Sequence, residues 1–302
     1  MEKSTKRAIA LGFFDGVHLG HQALLRKTMD EAKAHGLAPA VFTFDRSPRE
    51  FVTGKPVPLL TTVAERRRVV EDLFPGMEVI VAPFDREMME TPWEEFVLRL
   101  TQKLNGGWFV AGHDFRFGAR NTGDAALLRE KAAELGLGCD IIPAVLMDGQ
   151  VVSSTRIRGL LEKGDAETAA KLLGRPFAME GVVRHGRGLG HKLGTPTLNT
   201  FPPEGQLIPA YGVYASWVES EGRRWPAVTN IGVRPTVDED AEVLAESHLL
   251  NETVQLYGST CRVEFLKFLR PEQKFADTRA LGQQIARDAD EARAYFAQQN
   301  HA

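Results

Sequence analysis

The sequence predicts two domains of different fold class: an α/β domain with a parallel sheet, then a smaller all-β domain that ends in a helix. In the first half, apolar strand-like runs alternate with amphipathic stretches, which is typical of a parallel sheet with helices on both faces. From about Glu180, short β-rich runs are separated by Gly and Pro, which indicates a small barrel or sandwich. We place the change at residues 172–181 and predict domains at 1–178 and 179–302.

Strands and helices alternate through the predicted first domain. Its strands are the apolar runs at residues 7–14, 38–44, 77–84, 108–112 and 139–145. Its helices are the amphipathic stretches at residues 21–36, 60–76, 91–107 and 123–136. Gly36 closes the first helix, and Pro75 with Gly76 stops the second. We expect Thr91 to cap the third helix and Pro92 to lie in its first turn.

The predicted second domain consists of short strands and one helix. Its β-rich runs are residues 181–186, 211–218, 225–233, 243–250 and 261–269. Residues 277–299 have helical periodicity, with one apolar face made of Leu281, Ile285, Ala289, Ala292 and Phe296.

Composition limits the classes of function. The chain has 302 residues, is 43% apolar and 25% charged, and carries a formal net charge of −3, which gives no electrostatic reason to expect a nucleic-acid partner. Its two cysteines form neither a disulfide framework nor a metal knuckle, which fits a reducing cytosol. The apolar run near the N-terminus is interrupted at Asp15, too early for a signal peptide or a membrane span. We expect a cytoplasmic protein without a membrane partner, as a monomer or weak oligomer.

The stretch "GFFDGVHLGH" places His18 and His21 at the start of the first helix. The turn before them contains Gly12, Asp15 and Gly16. A helix N-terminus has unpaired N–H groups and positive potential, and two imidazoles there suit a polyphosphate and a departing pyrophosphate. Two other interpretations remain open, ordinary surface histidines and a zinc site, although no further ligand has a recognisable spacing.

A second phosphate motif is predicted at residues 151–165, "VVSSTRIRGLLEKGD". Ser154, Thr155 and a nearby arginine would hold phosphates at another helix N-terminus. Equally, Ser153 or Ser154 would act only as a helix cap.

The segment "GVVRHGRGLGHKLGTPTLN" contains a glycine-rich loop. It is not a dinucleotide-binding fingerprint, because Leu193 stands where the third glycine belongs and no helix follows. Backbone N–H groups freed by glycine would approach an anion, and a glycine-rich turn without function is the alternative.

Oxygen ligands and a carboxylate follow the glycine-rich loop. In an extended segment Thr197 and Asn199 point to the same side, and their oxygens suit Mg²⁺ shared with ATP phosphates. Glu246 lies two residues before His248 on a predicted strand and would accept the proton of an attacking alcohol. Each of these residues, taken singly, also fits an ordinary strand position.

Several motifs together resemble the prokaryotic bifunctional riboflavin kinase/FAD synthetase family. In the first half the matching segments are "GFFDGVHLGH", "TFDRSP", "GHDFRFGARNTGD", "SSTRIR" and "LEKGDAETAAKLLGRPF". The resemblance implies a Rossmann-like nucleotidyltransferase domain that transfers AMP from ATP to the phosphate of FMN, giving FAD and pyrophosphate. It implies that His18 and His21 face the β- and γ-phosphates.

The same resemblance assigns further residues to the first site. Those implied for nucleotide binding are Gly12, Phe14, Asp15, Gly16, Asp114, Ser154, Thr155 and Arg158. Asp45 would line the FMN pocket, although Asp45 and Asp114 also suit turn stabilisation. Phe13 departs from the family, in which many members have Asn at this position.

In the second half the matching segments are "GHKLGTPTLN", "YGVYA", "TNIGVRPT", "ESHLLN", "LYG", "FLRPEQKF" and the closing "QIARD". They imply a six-stranded barrel that transfers the γ-phosphate of ATP to the riboflavin 5′-hydroxyl, with Glu246 as base and Thr197 and Asn199 at Mg²⁺. The residues implied for ATP binding are Gly186, Gly188, Gly190 and Lys192. The residues that depart from the family pattern are His191, Thr195 and Asn251.

Three function classes compete at this point. The first is the two-step synthesis of FMN and FAD. The second is a tRNA-linked enzyme, opposed by the acidic charge balance and by missing KMSKS-type lysines. The third is a flavin-binding regulator, or a monofunctional FAD synthetase with a weakened kinase module, and its support is the departures at His191, Thr195 and Asn251.

Overall fold

The computed structural model describes residues 5–184, 196–234 and 242–299. Its contacts divide the chain into two compact units, Met1–Ser154 and Thr155–Ala302. The first contains a parallel sheet with helices and the second a closed barrel, so the predicted fold class is confirmed. The predicted boundary between residues 178 and 179 stays a prediction.

The first unit is built on a five-stranded parallel sheet and two short hairpins. Its strands are β1 (Arg7–Leu11), β2 (Ala38–Phe44), β3 (Glu78–Ala82), β4 (Gly106–Gly112), β5 (Arg116–Phe117), β6 (Gly123–Asp124), β7 (Gly138–Ile142), β8 (Leu146–Met147) and β9 (Gln150–Val151). Its helices are α1 (Leu19–His35), α2 (Pro48–Thr53), α3 (Val63–Leu73), α4 (Arg86–Glu90), α5 (Trp93–Gln102) and α6 (Ala125–Glu134), with a 3₁₀ turn at Ala119–Asn121.

The order of strands in the sheet is β3-β2-β1-β4-β7. The chain moves outward from β1 to β3 on one side and then starts again at β4 on the other side. The order therefore reverses between β1 and β4, and open α/β sheets bind ligands at the carboxyl ends of strands that flank such a reversal. Gly12 and His113 are the first residues beyond these two ends.

Alternating residues of β1 supply two hydrophobic cores, one on each face of the sheet. Ile9 and Leu11 pack on the side covered by α5 and α6, with Phe109 and Leu128. Ala10 packs on the side covered by α1 and α3. Because strand side chains alternate between faces, this arrangement explains why β1 is apolar at consecutive positions.

The element bounds correct several predictions. Strand β1 ends at Leu11 and not at residue 14, because the next residues form a turn with positive φ angles that an extended strand does not allow. Helices α3 and α5 are shorter than the predicted 60–76 and 91–107. Strand β2 covers the predicted residues 38–44.

The second unit is a closed six-stranded barrel with flanking helices. The barrel strands are β10 (Phe177–Arg184), β11 (Leu198–Phe201), β12 (Gly212–Ser220), β13 (Arg223–Arg234), β14 (Glu242–Leu249) and β15 (Thr260–Pro271). The helices are α7 (Ser154–Leu161), which begins at the last residue of the first unit, α8 (Ala166–Leu173) and α9 (Thr278–Gln299). All barrel pairs are antiparallel, in the order β10-β11-β14-β13-β12-β15.

A chain of hydroxyl groups crosses the interior of the barrel. Thr229 Oγ1 lies 2.6 Å from Ser216 Oγ and 2.8 Å from Ser247 Oγ, and all three residues are fully buried. These contacts link β12, β13 and β14. The hydroxyls satisfy one another, so they are buried without the cost of an unpaired polar group.

Helix α9 packs on the outer face of the barrel, where Ala289 and Ala292 contact Val213 and Val228. An ion pair fixes it further, since Arg270 Nε and Nη2 donate to the two carboxylate oxygens of Asp288 at 2.9 and 2.7 Å. Asp288 is only 4% exposed, so the pair is largely shielded from water.

Replacing Asp288 by Ala should lower the free energy of unfolding by about 3 kcal/mol, because it leaves the Arg270 charge without its partner. The exposed pair Arg293–Asp290, 3.0 Å apart on α9, provides a matched control. Asp290→Ala should cost less than about 1 kcal/mol. Urea denaturation followed by tryptophan fluorescence measures both, and equal losses would contradict the expectation.

Candidate active sites

The first candidate site is the turn between β1 and α1. Three of its residues have left-handed backbone angles: Phe14 (φ 56°), Gly16 (φ 83°) and Val17 (φ 41°). Only the glycine adopts that region readily, and for a β-branched residue such as Val17 it is a rare, strained conformation. The turn directs the chain from the carboxyl end of β1 into the first residue of α1.

Both histidines lie at the N-terminus of α1. His18 is the N-cap, and its Nδ1 accepts a hydrogen bond from the backbone N–H of His21 at 3.3 Å. The two imidazoles are stacked, with ring centroids 3.6 Å apart. Because Nδ1 of His18 is an acceptor, a neutral His18 ring carries its proton on Nε2, where it is a donor. The first turn of α1 has no acidic side chain, so nothing there offsets the positive end of the helix.

Two glycines near the histidines leave room for aromatic side chains. A Cβ at Gly20 would lie 3.0 Å from Cε1 of His18, so the His18 ring occupies the space that glycine leaves. A Cβ at Gly12 would lie 3.0 Å from the Phe14 ring. The Phe14 ring is buried in the core, so its predicted contact with a nucleotide would have to come from its backbone.

Asp15, Gly16 and Ser154, all predicted nucleotide ligands, are tied to one another through the turn. Ser154 Oγ donates to the Asp15 carbonyl oxygen at 2.8 Å. The backbone N–H of Thr61 donates to Asp15 Oδ1 at 3.0 Å, and the N–H of Gly16 donates to Thr61 Oγ1 at 2.9 Å. These bonds give the three residues a role in holding the turn, and direct binding of nucleotide by them stays a prediction.

The remaining residues predicted for this site differ in their surroundings. The Asp114 side chain, just beyond the end of β4, is 83% exposed. Asp45 Oδ1 accepts the backbone N–H of Phe84 at 2.9 Å, which is the turn-stabilising interaction that the sequence also allowed. Thr155 and Arg158 lie on α7 in the second unit, and their part in nucleotide binding stays a prediction.

The second candidate site is a row of polar residues on the outer face of the barrel. Asn199 of β11 lies directly opposite Glu246 of β14, which lies directly opposite Asn230 of β13. Residues directly opposite each other in an antiparallel pair project on the same side. That side is the outer one, because Val228, two residues before Asn230, packs against α9. We call these three residues the polar row.

Asn199 has the features of a ligand residue. It is 4% exposed, and within the described ranges its Oδ1 has no hydrogen-bond partner. A buried acceptor without a partner is costly, and a hard cation would satisfy it. Thr197 lies two residues before Asn199, and His248 Nδ1 lies 3.1 Å from the carbonyl oxygen of Pro196, the residue before Thr197.

Other predicted kinase residues fall outside the part of the chain that the structure describes. These are Gly186, Gly188, Gly190 and Lys192, together with the departures His191 and Thr195. The third departure, Asn251, is exposed just after β14.

Sequence reasoning missed several residues that shape both sites. At the first site they are Thr43, Thr61 and Arg66. Thr43 and Thr61 form hydrogen bonds to the turn, and the Arg66 guanidinium lies over the Phe13 ring. At the second site Asn230 completes the polar row, and its Nδ2 donates to Glu272 Oε1 at 3.3 Å. A single sequence gives the alternation of each strand but not which residues face each other across strands, so the only signal for Asn230 was its place in the family-like segment "TNIGVRPT".

Comparison with known proteins assigns the chain to a family. One family model, described as FAD synthetase, matches residues 1–156, and another, described as riboflavin kinase, matches residues 173–296. A Pseudomonas fluorescens protein named bifunctional riboflavin kinase/FMN adenylyltransferase is 37% identical over 293 residues, 96% of this chain and 93% of that protein. The chain belongs to the bifunctional riboflavin kinase/FMN adenylyltransferase family.

Further members of the riboflavin kinase/FMN adenylyltransferase family match over almost the same length. The Escherichia coli K12 protein is 38% identical over 292 residues, 95% of this chain and 92% of that protein. The Bacillus subtilis 168 protein is 33% identical over 301 residues, 98% of this chain and 94% of that protein. The family resemblance predicted from the motifs is therefore confirmed.

One solved structure matches the whole fold under a different title. A crystal structure titled as a macrolide-efflux protein from Streptococcus pneumoniae is 29% identical, with a TM-score of 0.86 over 96% of this chain and 95% of that one. The efflux named in that title is a statement about that protein. Along the described part of the present chain, no helix combines the length and the apolar character needed to cross a membrane.

Proposed function

We propose that this chain phosphorylates riboflavin to FMN and then adenylylates FMN to FAD, with ATP as the donor in both reactions. The observation that carries the proposal is the match of both family models, in this order, to a chain whose relatives align over nearly their full length. The turn at α1 and the polar row on the barrel supply two separate sites for two separate reactions.

Adenylyl transfer is assigned to the N-terminus of α1. A phosphate oxygen of FMN attacks the α-phosphorus of ATP, the bond from this phosphorus to the bridging oxygen breaks, and pyrophosphate leaves. No protein nucleophile is needed, so the contribution of the chain is positioning and charge stabilisation. His18 and His21 lie at the N-terminus of α1 and, with the backbone N–H groups of the first helical turn, would stabilise the negative charge that develops on pyrophosphate.

Phosphoryl transfer to riboflavin is assigned to the polar row. The 5′-hydroxyl oxygen attacks the γ-phosphorus, ADP leaves, and Glu246 accepts the proton of the hydroxyl. Glu246 is exposed on β14 and can be reached by a substrate. The buried Oδ1 of Asn199 and the hydroxyl of Thr197 would hold Mg²⁺ together with ATP, and the cation would neutralise phosphate charge.

We also propose a cytoplasmic location, with neither a nucleic acid nor a membrane as partner, in the form of a monomer or weak oligomer. Cys139 and Cys261 are both free thiols, which supports a reducing compartment. Burial raises the pKa of Cys139 to about 11, so this thiol is protonated and unreactive at neutral pH. The ligands proposed for the chain are ATP, riboflavin and FMN.

A single incubation tests the proposed function. Purified chain with riboflavin, ATP and Mg²⁺ should give FMN first and FAD later, as separated by chromatography, with pyrophosphate released in step with FAD. A chelator should stop both reactions if the cation is needed at both sites.

The outcomes of this incubation separate the alternatives. FAD from added FMN, with no FMN from riboflavin, would identify a monofunctional FAD synthetase with a weakened kinase module. Flavin binding without either product at saturating ATP would identify a regulator. Production of FMN with no FAD from added FMN would contradict the assignment of the first site.

A further inference from the structure

Arg66 of α3 is a buried cation next to the first site. It is 1% exposed, and its Nη1 donates to Thr43 Oγ1 at 2.8 Å and to the Phe44 carbonyl oxygen at 3.0 Å. Its guanidinium carbon lies 4.5 Å from the centre of the Phe13 ring. Over the described residues, its Nε and Nη2 have no hydrogen-bond partner.

Burying a charge at this position costs free energy, because the cation is removed from water. Burial lowers the pKa of Arg66 to about 10, and the negative charge of Asp15 opposes that fall, so the group still carries its proton at neutral pH. An apolar side chain of similar length would fill the same space without the cost of removing a cation from water. Arg66 therefore makes the folded chain less stable than an apolar side chain would, and a function of the cation at this position would explain why Arg is present.

The contacts of Arg66 converge on one residue of the turn. Thr43 Oγ1, which accepts from Arg66, donates in turn to the Phe13 carbonyl oxygen at 2.7 Å. The ring of Phe13 faces the guanidinium, a cation–π contact that gains strength away from water. Both the backbone and the side chain of Phe13 are thus held by Arg66, directly or through one hydroxyl.

Phe13 immediately precedes the strained part of the turn. Left-handed conformations at Phe14 and Val17 cost on the order of 1–3 kcal/mol each and persist only where the surroundings enforce them. Thr61, just before α3, holds Asp15 and Gly16 from the other side. The turn is therefore held at two points, by Thr61 two residues before α3 begins and by Arg66 in the first turn of α3.

We propose that Arg66 is a positioning residue for adenylyl transfer: through Thr43 and Phe13 it enforces the turn that sets His18 and His21 at the N-terminus of α1. The inference rests on the proposed function of that site. Arg66 itself does not touch substrate, because its side chain is buried. A misplacement of catalytic groups by about 1 Å can reduce a rate about a hundredfold, so a residue that positions these groups without touching substrate can have a large effect on the rate.

Kinetics of full-length variants test the proposal. Arg66→Met should reduce kcat for FAD formation from FMN by about 10- to 100-fold. Arg66→Lys should reduce this kcat less than Arg66→Met does, because Lys keeps the positive charge, although it lacks the planar guanidinium that stacks on an aromatic ring. Thr43→Val interrupts only the hydroxyl link and should fall between wild type and Arg66→Met. Formation of FMN from riboflavin by the same samples should not change, which controls for folded protein.

Two readouts distinguish positioning from simple stabilisation. In a His21→Ala background the effect of Arg66→Met should largely disappear, because residues that act through one another are not additive. In NMR spectra of Thr43→Val, recorded well below the melting temperature of this variant, the imidazole Cε1–H signals of His18 and His21 should shift. The signal of His35, at the far end of α1, should not shift. Arg67→Met, at an exposed neighbour on α3, is the matched control and should match wild type in every measurement.

The outcomes are decisive for the inference. Folded Arg66→Met or Thr43→Val with unchanged kcat and unchanged histidine signals would overturn it, as would a loss that is fully additive with His21→Ala. If Arg66→Met does not fold, Thr43→Val decides. If the wild type makes no FAD, the proposed function fails, and the histidine signals still report whether Arg66 sets the turn.

Discussion

Full-length chain in which His21 is replaced by Ala is expected to form FAD from added FMN about 10²- to 10³-fold more slowly than wild type. Removing one preorganised donor aimed at developing charge typically costs this much. The His21 ring lies at the N-terminus of α1, stacked on His18 at 3.6 Å, so its loss removes one of two imidazoles from the proposed polyphosphate position. FMN formation from riboflavin should remain at the wild-type rate, because the polar row lies on a different unit.

A companion variant separates chemistry from helix capping. His18→Asn keeps a side-chain acceptor at the N-cap, where Asn is among the best caps, but removes the imidazole. It should lose FAD formation to a similar degree while the chain stays as stable as wild type. His35→Ala, on the last turn of the same helix, should change neither activity. Loss of both activities in His21→Ala would contradict the assignment of the histidines to a separate site.

Glu246→Gln is expected to reduce FMN formation from riboflavin by about 10²- to 10⁴-fold, the range over which a general base contributes. Gln keeps the shape of the side chain and its hydrogen-bonding capacity but cannot accept the proton of the 5′-hydroxyl. FAD formation from added FMN should not change. Initial rates with each flavin supplied separately, measured by chromatography, give both values from one preparation.

Glu242→Gln is the matched control for this prediction. Glu242 lies on the same strand β14, four residues away and on the same face, with Arg184 3.6 Å away at its exposed carboxylate. It should retain both activities. Retention of the kinase rate in Glu246→Gln would show that the proton leaves by another route and would remove Glu246 from the mechanism.

Much of the fold could be predicted because strands and helices of this chain have the periodicities that packing imposes. Strand β2 was predicted to the residue, since all but one of its residues are apolar and it lies between the helix-ending Gly36 and the charged Asp45. Helices α2 and α4 were not predicted, because five or six residues are too few for a helical period. Only their caps, Ser47 and Asp85, gave a local signal.

The sites could be predicted only as sets of residue types. His18 and His21 were recognisable from their motif, but the left-handed angles at Phe14 and Val17 occur in a turn that Thr61 and Arg66 contact from elsewhere in the chain. Those contacts join residues more than forty positions apart in the chain, which no local pattern contains. A positive φ at Val17 runs against residue propensity, and such conflicts are expected where function demands a particular geometry.

The hydroxyl chain inside the barrel acts as a check on how the strands assemble. Thr229 and Ser247 face each other directly across β13 and β14, and Ser216 completes the contact from β12. A slip of β14 by one residue would turn Ser247 outward, away from the Thr229 hydroxyl, and bring Glu246 or His248 to the interior in its place. A slip that separates the residues of the polar row would therefore also break the buried hydrogen bond between Thr229 and Ser247, which costs free energy. A barrel that closes with these hydroxyls paired has Asn199, Glu246 and Asn230 aligned as well.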